Sequence, residues 1–372
     1  MLVVVAVQLH SPGEHTQATD ILGIDGDAAD LGTRGLARWT GPATFTIAVT
    51  GEILPHPSVV EHARRAGVES GRPYDFAPMF ADLRPLLRRA DLAICHLEVP
   101  IAPAGAPLSG YPSFAIPADV ADGIRATRWD RCSTASNHSN DKGTAGIRAT
   151  IDALEAADVG HSGTARTYAE SLRLPIAEVG DLRVAHLSAT EWFNGNPPAD
   201  PWMADLIDVD GILAESRRAR RKGADLVVVS LHWGIEYDAS GSREQRRMAR
   251  RLLRSPHIDL VVGHGPHVLQ PIESFRGEYA LLSVGNLVAN QGSARPSTYD
   301  GVVATITFTR GPNGRYRATP PVVEPTWYEG TAGRVHLVRT ALADPDRAAL
   351  RPALKESLAR TRSVMGEFVA RR

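Results

Sequence analysis

Histidines, carboxylates and one amide recur in this chain at one kind of place, directly after short runs of β-branched and apolar residues. Gly51-Glu52 closes the run 44–50, and Glu98 closes the run 91–97. Asn137-His138, with Asp141 just beyond, follows 131–135. His232-Trp233-Gly234-Ile235-Glu236 follows 225–231, and Gly263-His264-Gly265-Pro266-His267 follows 258–262. Imidazole and carboxylate together are ligand chemistry for Zn, Mn or Fe. A single loop histidine is an ordinary surface or hydrogen-bonded core residue. Several such motifs at comparable positions point instead to one shared site. A two-metal centre needs a carboxylate bridging ions about 3.5–4 Å apart, and its ions activate water and clamp a phosphoryl oxygen. Neutral ligands hold the ions without cancelling all their charge. A histidine that binds no metal then protonates the leaving oxygen.

For these loops to meet, the runs before them must be neighbouring strands with a common direction, because open α/β sheets gather ligands at the carboxyl ends of their strands. Strand patterns at 44–50, 91–97, 131–135, 174–179, 182–189, 225–231, 258–262, 271–284 and 302–309 support this. Helical periods at 57–66, 76–90, 118–127, 142–157, 210–222, 242–254 and 344–367 alternate with them. Gly180-Asp181 reads as a hairpin turn. The expected fold class is α/β with mixed sheets, two of them packed as a sandwich with helices outside. Residues 1–43 read as a poorly ordered arm or an edge strand, 44–330 as the main domain, and 331–372 as a helical extension packed on it. The proline-rich loop 99–117 and the loop 191–205 are expected to rim the pocket. In the second loop, Trp192, Phe193 and Trp202 either meet substrate or form a small local core. Asp141 and Glu236 either orient ligating histidines or are ordinary surface carboxylates.

Composition narrows the field. The chain has 372 residues, 43% hydrophobic and 22% charged, which excludes wholesale disorder. Lys and Arg number 41 against 42 Asp and Glu, so no basic surplus marks a nucleic-acid partner. Cys95 and Cys132 are too few for a disulfide framework or a zinc ribbon and read as reduced core thiols. The early apolar run 2–7 is far shorter than the roughly 20 residues of a membrane span. A soluble, cytoplasmic protein without a membrane anchor is expected. The basic runs Arg217, Arg218, Arg220, Arg221, Lys222 and Arg243, Arg246, Arg247, Arg250, Arg251, Arg254 read as solvated helix faces.

The motifs also resemble a known family. Gly51-Glu-Ile-Leu-Pro-His56, Leu97-Glu98, Asn137-His138 with Asp141-x-Gly143, Leu231-His-Trp-Gly-Ile-Glu236 and Gly263-His-Gly-Pro-His-Val-Leu-Gln270 carry the resemblance, with Tyr279-Ala-Leu-Leu-Ser-Val-Gly-Asn286 behind them. They resemble the bacterial CapA/PgsA family of capsule and poly-γ-glutamate synthesis, within the calcineurin-like metallophosphoesterase superfamily. The resemblance implies a four-layer α/β/β/α sandwich and a centre of two divalent ions, Mn, Fe or Zn. It implies Glu52 and His267 as ligands of the first metal and Glu98 as the bridge. It implies Asn137, His232 and His264 as ligands of the second, with His138 as general acid. The family usually has Asp where Glu52 stands, and the extra methylene moves the carboxylate by about 1.5 Å. His56 is a candidate substitute ligand. His96, where the family often has Asn, shares a strand face with Glu98 and is an added ligand or a substrate contact. Many members carry a membrane anchor ahead of this region.

The expected function is therefore metal-dependent hydrolysis of a phosphate ester, with His138 and Asp141 as the catalytic pair. The alternatives are hydrolysis or transfer at an amide or γ-glutamyl bond on the same metals, and a non-catalytic assembly or binding factor. The substrate is a small molecule or a polymer, and the sequence leaves the oligomeric state open.

Overall fold

Phe45, Ile47 and Val49 alternate with Thr46 and Ala48 in the first strand, and this period of two sorts the layers of the whole protein. The computed structural model describes residues 42–292 and 294–370, so the arm expected over 1–43 lies outside the described residues except for Pro42 and Ala43. β1 (Thr44–Ile53), β2 (Leu92–Leu97), β3 (Arg131–Ser133) and β4 (Gly160–Ser162) are parallel neighbours. The chain then builds a second sheet from β5 (Ile176–Val179), β6 (Leu182–Thr190), β7 (Leu226–His232), β8 (Leu260–His264), β9 (Ile272–Phe275) and β10 (Glu278–Leu281). It returns to the first sheet with β11 (Asn286–Val288), β12 (Asp300–Arg310), β13 (Tyr316–Ala318), β14 (Val322–Glu329) and β15 (Arg334–Leu337). The first sheet runs β15-β14-β12-β1-β2-β3-β4, and the second runs β5-β6-β7-β8-β10-β9. Both sheets are mixed: in the first, β1 to β4 are parallel and form one side while β12, β14 and β15 are antiparallel, and in the second, parallel β6, β7, β8 and β10 are flanked by antiparallel β5 and β9.

Phe45, Ile47, Val49 and Ile94 of the first sheet pack against Val184, Val228, Val262 and Leu281 of the second. The alternate residues Ala48, Ala93, Cys95 and Leu97 face outward onto Val59, Phe80, Leu83, Val120 and Ile124. On the other side, Val227, Val229, Leu231 and Val261 meet Ile212, Ala219 and Leu252 from helices Val209–Arg221 and Arg243–Leu253. The result is the expected α/β/β/α order. Burying each large apolar side chain contributes about 1.5–3 kcal/mol, and a slip of one residue would turn a whole strand inside out. The alternation therefore holds the strand ends, and the motifs on them, in register.

Several elements differ from expectation. The span 76–90 is not one helix but a 3-10 turn, Ala77–Leu83, followed by the short helix Arg84–Leu87. Pro85 lacks the N–H donor that a continuous helix would need there, whereas Pro78 sits in the first turn, where proline is tolerated. The boundary drawn at 330 falls in the turn between β14 and β15, which pair antiparallel, so the segment 331–372 begins with a strand of the first sheet. The helix near the end of the chain is Arg351–Met365, preceded by a 3-10 turn, Pro345–Leu350. Cys95 and Cys132 are not separate thiols. They lie opposite each other on β2 and β3, with Cα atoms 4.4 Å apart, and are joined as a disulfide. Arg220 leaves the solvated face of its helix to pair with buried Asp259. Among the described residues, no helix is long and apolar enough to cross a membrane.

Candidate metal centre

The site is built at the carboxyl ends of β1, β2, β3, β7 and β8. Pairing of β1 with β2 shifts register between Val49 and Glu52, a bulge of the kind that re-aims side chains at strand ends. At Gly51 a Cβ would stand 2.6 Å from the Gly285 carbonyl oxygen, so only glycine lets β1 approach 285–287. The Glu52 N–H then donates to Gly285 O at 2.9 Å. The Glu52 carboxylate is fully buried; Oε1 accepts from the Gly265 N–H and Oε2 from His267 Nδ1, both at 2.5 Å. Gly265 can turn its N–H there because it sits at φ +108°, with the Trp233 carbonyl 2.8 Å from where a Cβ would be. The extra methylene of glutamate is thus accommodated in place, and Glu52 keeps company with His267.

Glu98, just past β2, is wholly buried, and among the described residues neither of its oxygens has a hydrogen-bond partner. Its neighbours are imidazoles: His232 Nε2 lies 3.6 Å and His267 Nε2 3.8 Å from Oε1. Among the described residues neither ring nitrogen of His232 finds a hydrogen-bond partner, and the same holds for His96 Nε2, His264 Nδ1 and Asn137 Oδ1. A buried polar atom left without a partner costs about 1–3 kcal/mol, more if charged. So many around one point form a donor set that a divalent cation would satisfy. The ligating atoms fall into two sets, Glu52–Glu98–His267 and His96–Glu98–His232, each within 4.8 Å of one another. Glu98 belongs to both, as a bridge must.

The electrostatics agree. Burial pushes His264 down to about 3, and burial also holds His96 well below its usual value, so both present lone pairs at neutral pH. Burial opposes ionisation of Glu98, but the charges of His267 and His232 outweigh it and hold the carboxyl well below the ordinary range. Burial raises Glu52, against the pull of His267. Burial disfavours charge on His267 too, yet the Glu52 and Glu98 carboxylates raise it to about 10.

His138 stands beside this set. Its Nδ1 is 2.8 Å from Asp141 Oδ2, which also accepts from the Phe114 N–H at 2.7 Å. The two loops expected to rim the pocket both reach it. The Phe114 ring meets the imidazole edge-on at 4.9 Å, and Asn194 Nδ2 lies 3.2 Å from Nε2. Asn194 Oδ1 accepts from Asn137 Nδ2 at 3.2 Å, leaving Asn137 Oδ1 free.

Two expected residues fall elsewhere. Glu236 is exposed and orients no histidine; the Gly234 N–H beside it donates to Glu191 instead. His56 belongs to neither set; its Nδ1 accepts from the Asn290 N–H at 3.2 Å. His264 stays beside the second set, lying flat on His96 with ring centroids 4.2 Å apart. Sequence reading passed over Ser133, which holds His96 at 2.8 Å, and Asn194. It quoted Asn286 without a role; the structure places its Oδ1 3.2 Å from His267 Nδ1. A third cluster, Glu155, His161 and Glu170, is tied up by Arg166.

Every residue of the two sets lies within 46–291, the stretch matched by the family model of the bacterial capsule synthesis protein PGA_cap. The chain belongs to this family. The PGA_cap chain is 27% identical to the capsule biosynthesis protein CapA of Bacillus anthracis over 266 residues, 68% of this chain and 61% of that protein. It is 31% identical to the PGA biosynthesis protein CapA of Bacillus subtilis (strain 168) over 190 residues, 50% of this chain and 49% of that one. The match thus spans about half to three-fifths of these relatives' own length. Among solved structures, the calcineurin-like phosphoesterase YfkN from Bacillus subtilis aligns over 86% of this PGA_cap chain and 99% of that chain, at TM-score 0.44 and 12% identity.

Proposed function

We propose that this protein is a metal-dependent hydrolase that cleaves a phosphate ester at a centre of two divalent ions sharing Glu98. One observation carries the reading: both oxygens of Glu98 and both ring nitrogens of His232 are buried, adjacent and, among the described residues, without hydrogen-bond partners. Glu52, Glu98 and His267 would hold one ion; Glu98 and His232, with Asn137 and His264 close by, would hold the other. Ions of this kind supply Lewis-acid polarisation of a phosphoryl oxygen and activation of water. The chain's own groups do the rest. Asp141 fixes the His138 ring through Nδ1, so that Nε2 is turned to deliver a proton to the leaving alcohol oxygen. Phe114 covers one edge of that ring and limits water there. Asn194 keeps the Asn137 amide turned so that its oxygen is free.

The naming of the two Bacillus relatives as capsule and PGA biosynthesis proteins supports a second reading, hydrolysis or transfer at a γ-glutamyl amide bond by the same residues. A substrate panel separates the two. Protein loaded with Mn, Fe or Zn is offered p-nitrophenyl phosphate, bis-p-nitrophenyl phosphate and γ-glutamyl-p-nitroanilide, beside a chelated control. Metal-dependent release from a phosphate ester is expected. Release from the anilide alone would replace the first reading with the second. Full loading with no turnover of any substrate would leave a non-catalytic assembly or binding factor.

A further inference from the structure

Ser133 Oγ carries one hydrogen, and the structure directs it to the Cys95 carbonyl oxygen at 3.3 Å. Ser133 Oγ also lies 2.8 Å from His96 Nδ1, and with its hydrogen given to Cys95 it accepts there from Nδ1. A neutral imidazole protonated at Nδ1 keeps its lone pair at Nε2. His96 Nε2 is buried and has no partner among the described residues, in a residue 1% exposed. The ring has little freedom to turn. Ser133 holds it from the β3 side, and the His264 ring lies on it at 4.2 Å with an interplanar angle of 11°. One nitrogen of this ring lies within 4.8 Å of ligating atoms of Glu98 and His232, and with Nδ1 taken up by Ser133 the nitrogen left to ligate is Nε2.

We infer that His96 is a metal ligand through Nε2, and that the second metal position is held by the imidazoles of His96 and His232 with the shared Glu98. This rests on the metal-hydrolase reading above and adds to it the residue that sets the character of one position. The two positions then differ in donors. Glu52, Glu98 and His267 supply mostly carboxylate, whereas His96, His232 and Glu98 supply mostly imidazole. Carboxylate-rich sites suit Mn and imidazole-rich sites suit Zn, so the second position takes Zn in preference to Mn, and His96 is the reason.

Calorimetric titration of the metal-free protein with Zn²⁺, and separately with Mn²⁺, tests this on the parent, His96→Gln and Ser133→Ala. The parent is expected to bind two Zn²⁺. His96→Gln is expected to keep the first and to weaken the second by at least ~100-fold, with a smaller loss for Mn²⁺. Ser133→Ala, which leaves the ligand but removes the acceptor that orients it, is expected to weaken the second site by ~10–100-fold. Two Zn²⁺ sites of unchanged affinity in His96→Gln overturn the inference and leave the hydrolase reading standing. If His96→Gln does not fold, unchanged affinity in Ser133→Ala overturns it. A folded parent that binds no divalent metal overturns both readings together.

Discussion

His267 is clamped between two buried carboxylates: its Nδ1 donates to Glu52 Oε2 at 2.5 Å, while its Nε2 faces Glu98 Oε1 at 3.8 Å. A proton and a metal ion must compete for that ring. The Glu52 and Glu98 charges, against the opposing effect of burial, lift the imidazole from 6.5 to about 10 in the metal-free fold. A raised pKa contributes stability that is complete below about 6.5 and is lost as pH climbs through about 10. The metal-free protein is therefore expected to melt at progressively lower temperature from pH 6.5 to 10. Metal affinity is expected to rise over the same window, because binding at Nε2 displaces the proton. Thermal melts of chelated and loaded samples across this range check it. A chelated protein whose stability climbs toward pH 10 would show that His267 is neutral from the start.

Removing the shared carboxylate is expected to cost both ions. Glu98→Gln keeps the size of the side chain but offers a neutral amide to both ligand sets. Metal at 100 times its dissociation constant stabilises a fold by about 2.7 kcal/mol. The parent's melting temperature should rise on adding Zn²⁺ or Mn²⁺, and that of Glu98→Gln should not. Metal content by elemental analysis gives the independent count; one ion retained at parental affinity would rule out the bridge.

The His138–Asp141 pair should act on chemistry without holding metal. His138→Gln and Asp141→Asn are each expected to lower turnover of a phosphate ester by about 10²–10⁴-fold while the metal content stays at the parental value. Loss of metal in either variant would move the residue from proton transfer to ligation. Because Asp141 also accepts from the Phe114 N–H, the Asn variant should additionally loosen the 99–117 loop, which limited proteolysis would report.

Backbone geometry at Gly265 is expected to matter as much as any side chain. At φ +108°, with the Trp233 carbonyl 2.8 Å from the place of a Cβ, Gly265→Ala must either strain or withdraw the N–H that Glu52 accepts. The expected loss of stability is about 1–3 kcal/mol, read from urea unfolding, together with weaker binding at the Glu52–Glu98–His267 set. An alanine variant with unchanged stability and binding would mean that Glu52 needs no such anchor.

Much of the fold was legible in the sequence, for definite reasons. Phe45, Ile47 and Val49 on one strand, and Val227, Val229 and Leu231 on another, alternate cleanly, so the order of residues alone displays the two faces of each strand. Where local rules conflicted, reading failed. Pro325 sits within β14, opposite Val302, and proline argues against a strand, so the hairpin that extends the first sheet went unread. The pairing of Cys95 with Cys132 depends on the register of β2 against β3, which no local pattern encodes. Glu236 lies only four residues past His232, yet the turn that follows β7 carries it out to solvent.

Residue types and their places after apolar runs were enough to say that imidazoles and carboxylates would gather at one end of parallel strands, because strand direction and period carry that information. Tertiary packing alone decided which donors face one another. Glu98 stands between His232 and His267 because two sheets meet there. His96 presents Nε2 because a serine on the neighbouring strand binds its Nδ1. Such choices turn on distances of an ångström or less between side chains far apart in the chain, and the spacing of residues along a sequence has no term for them.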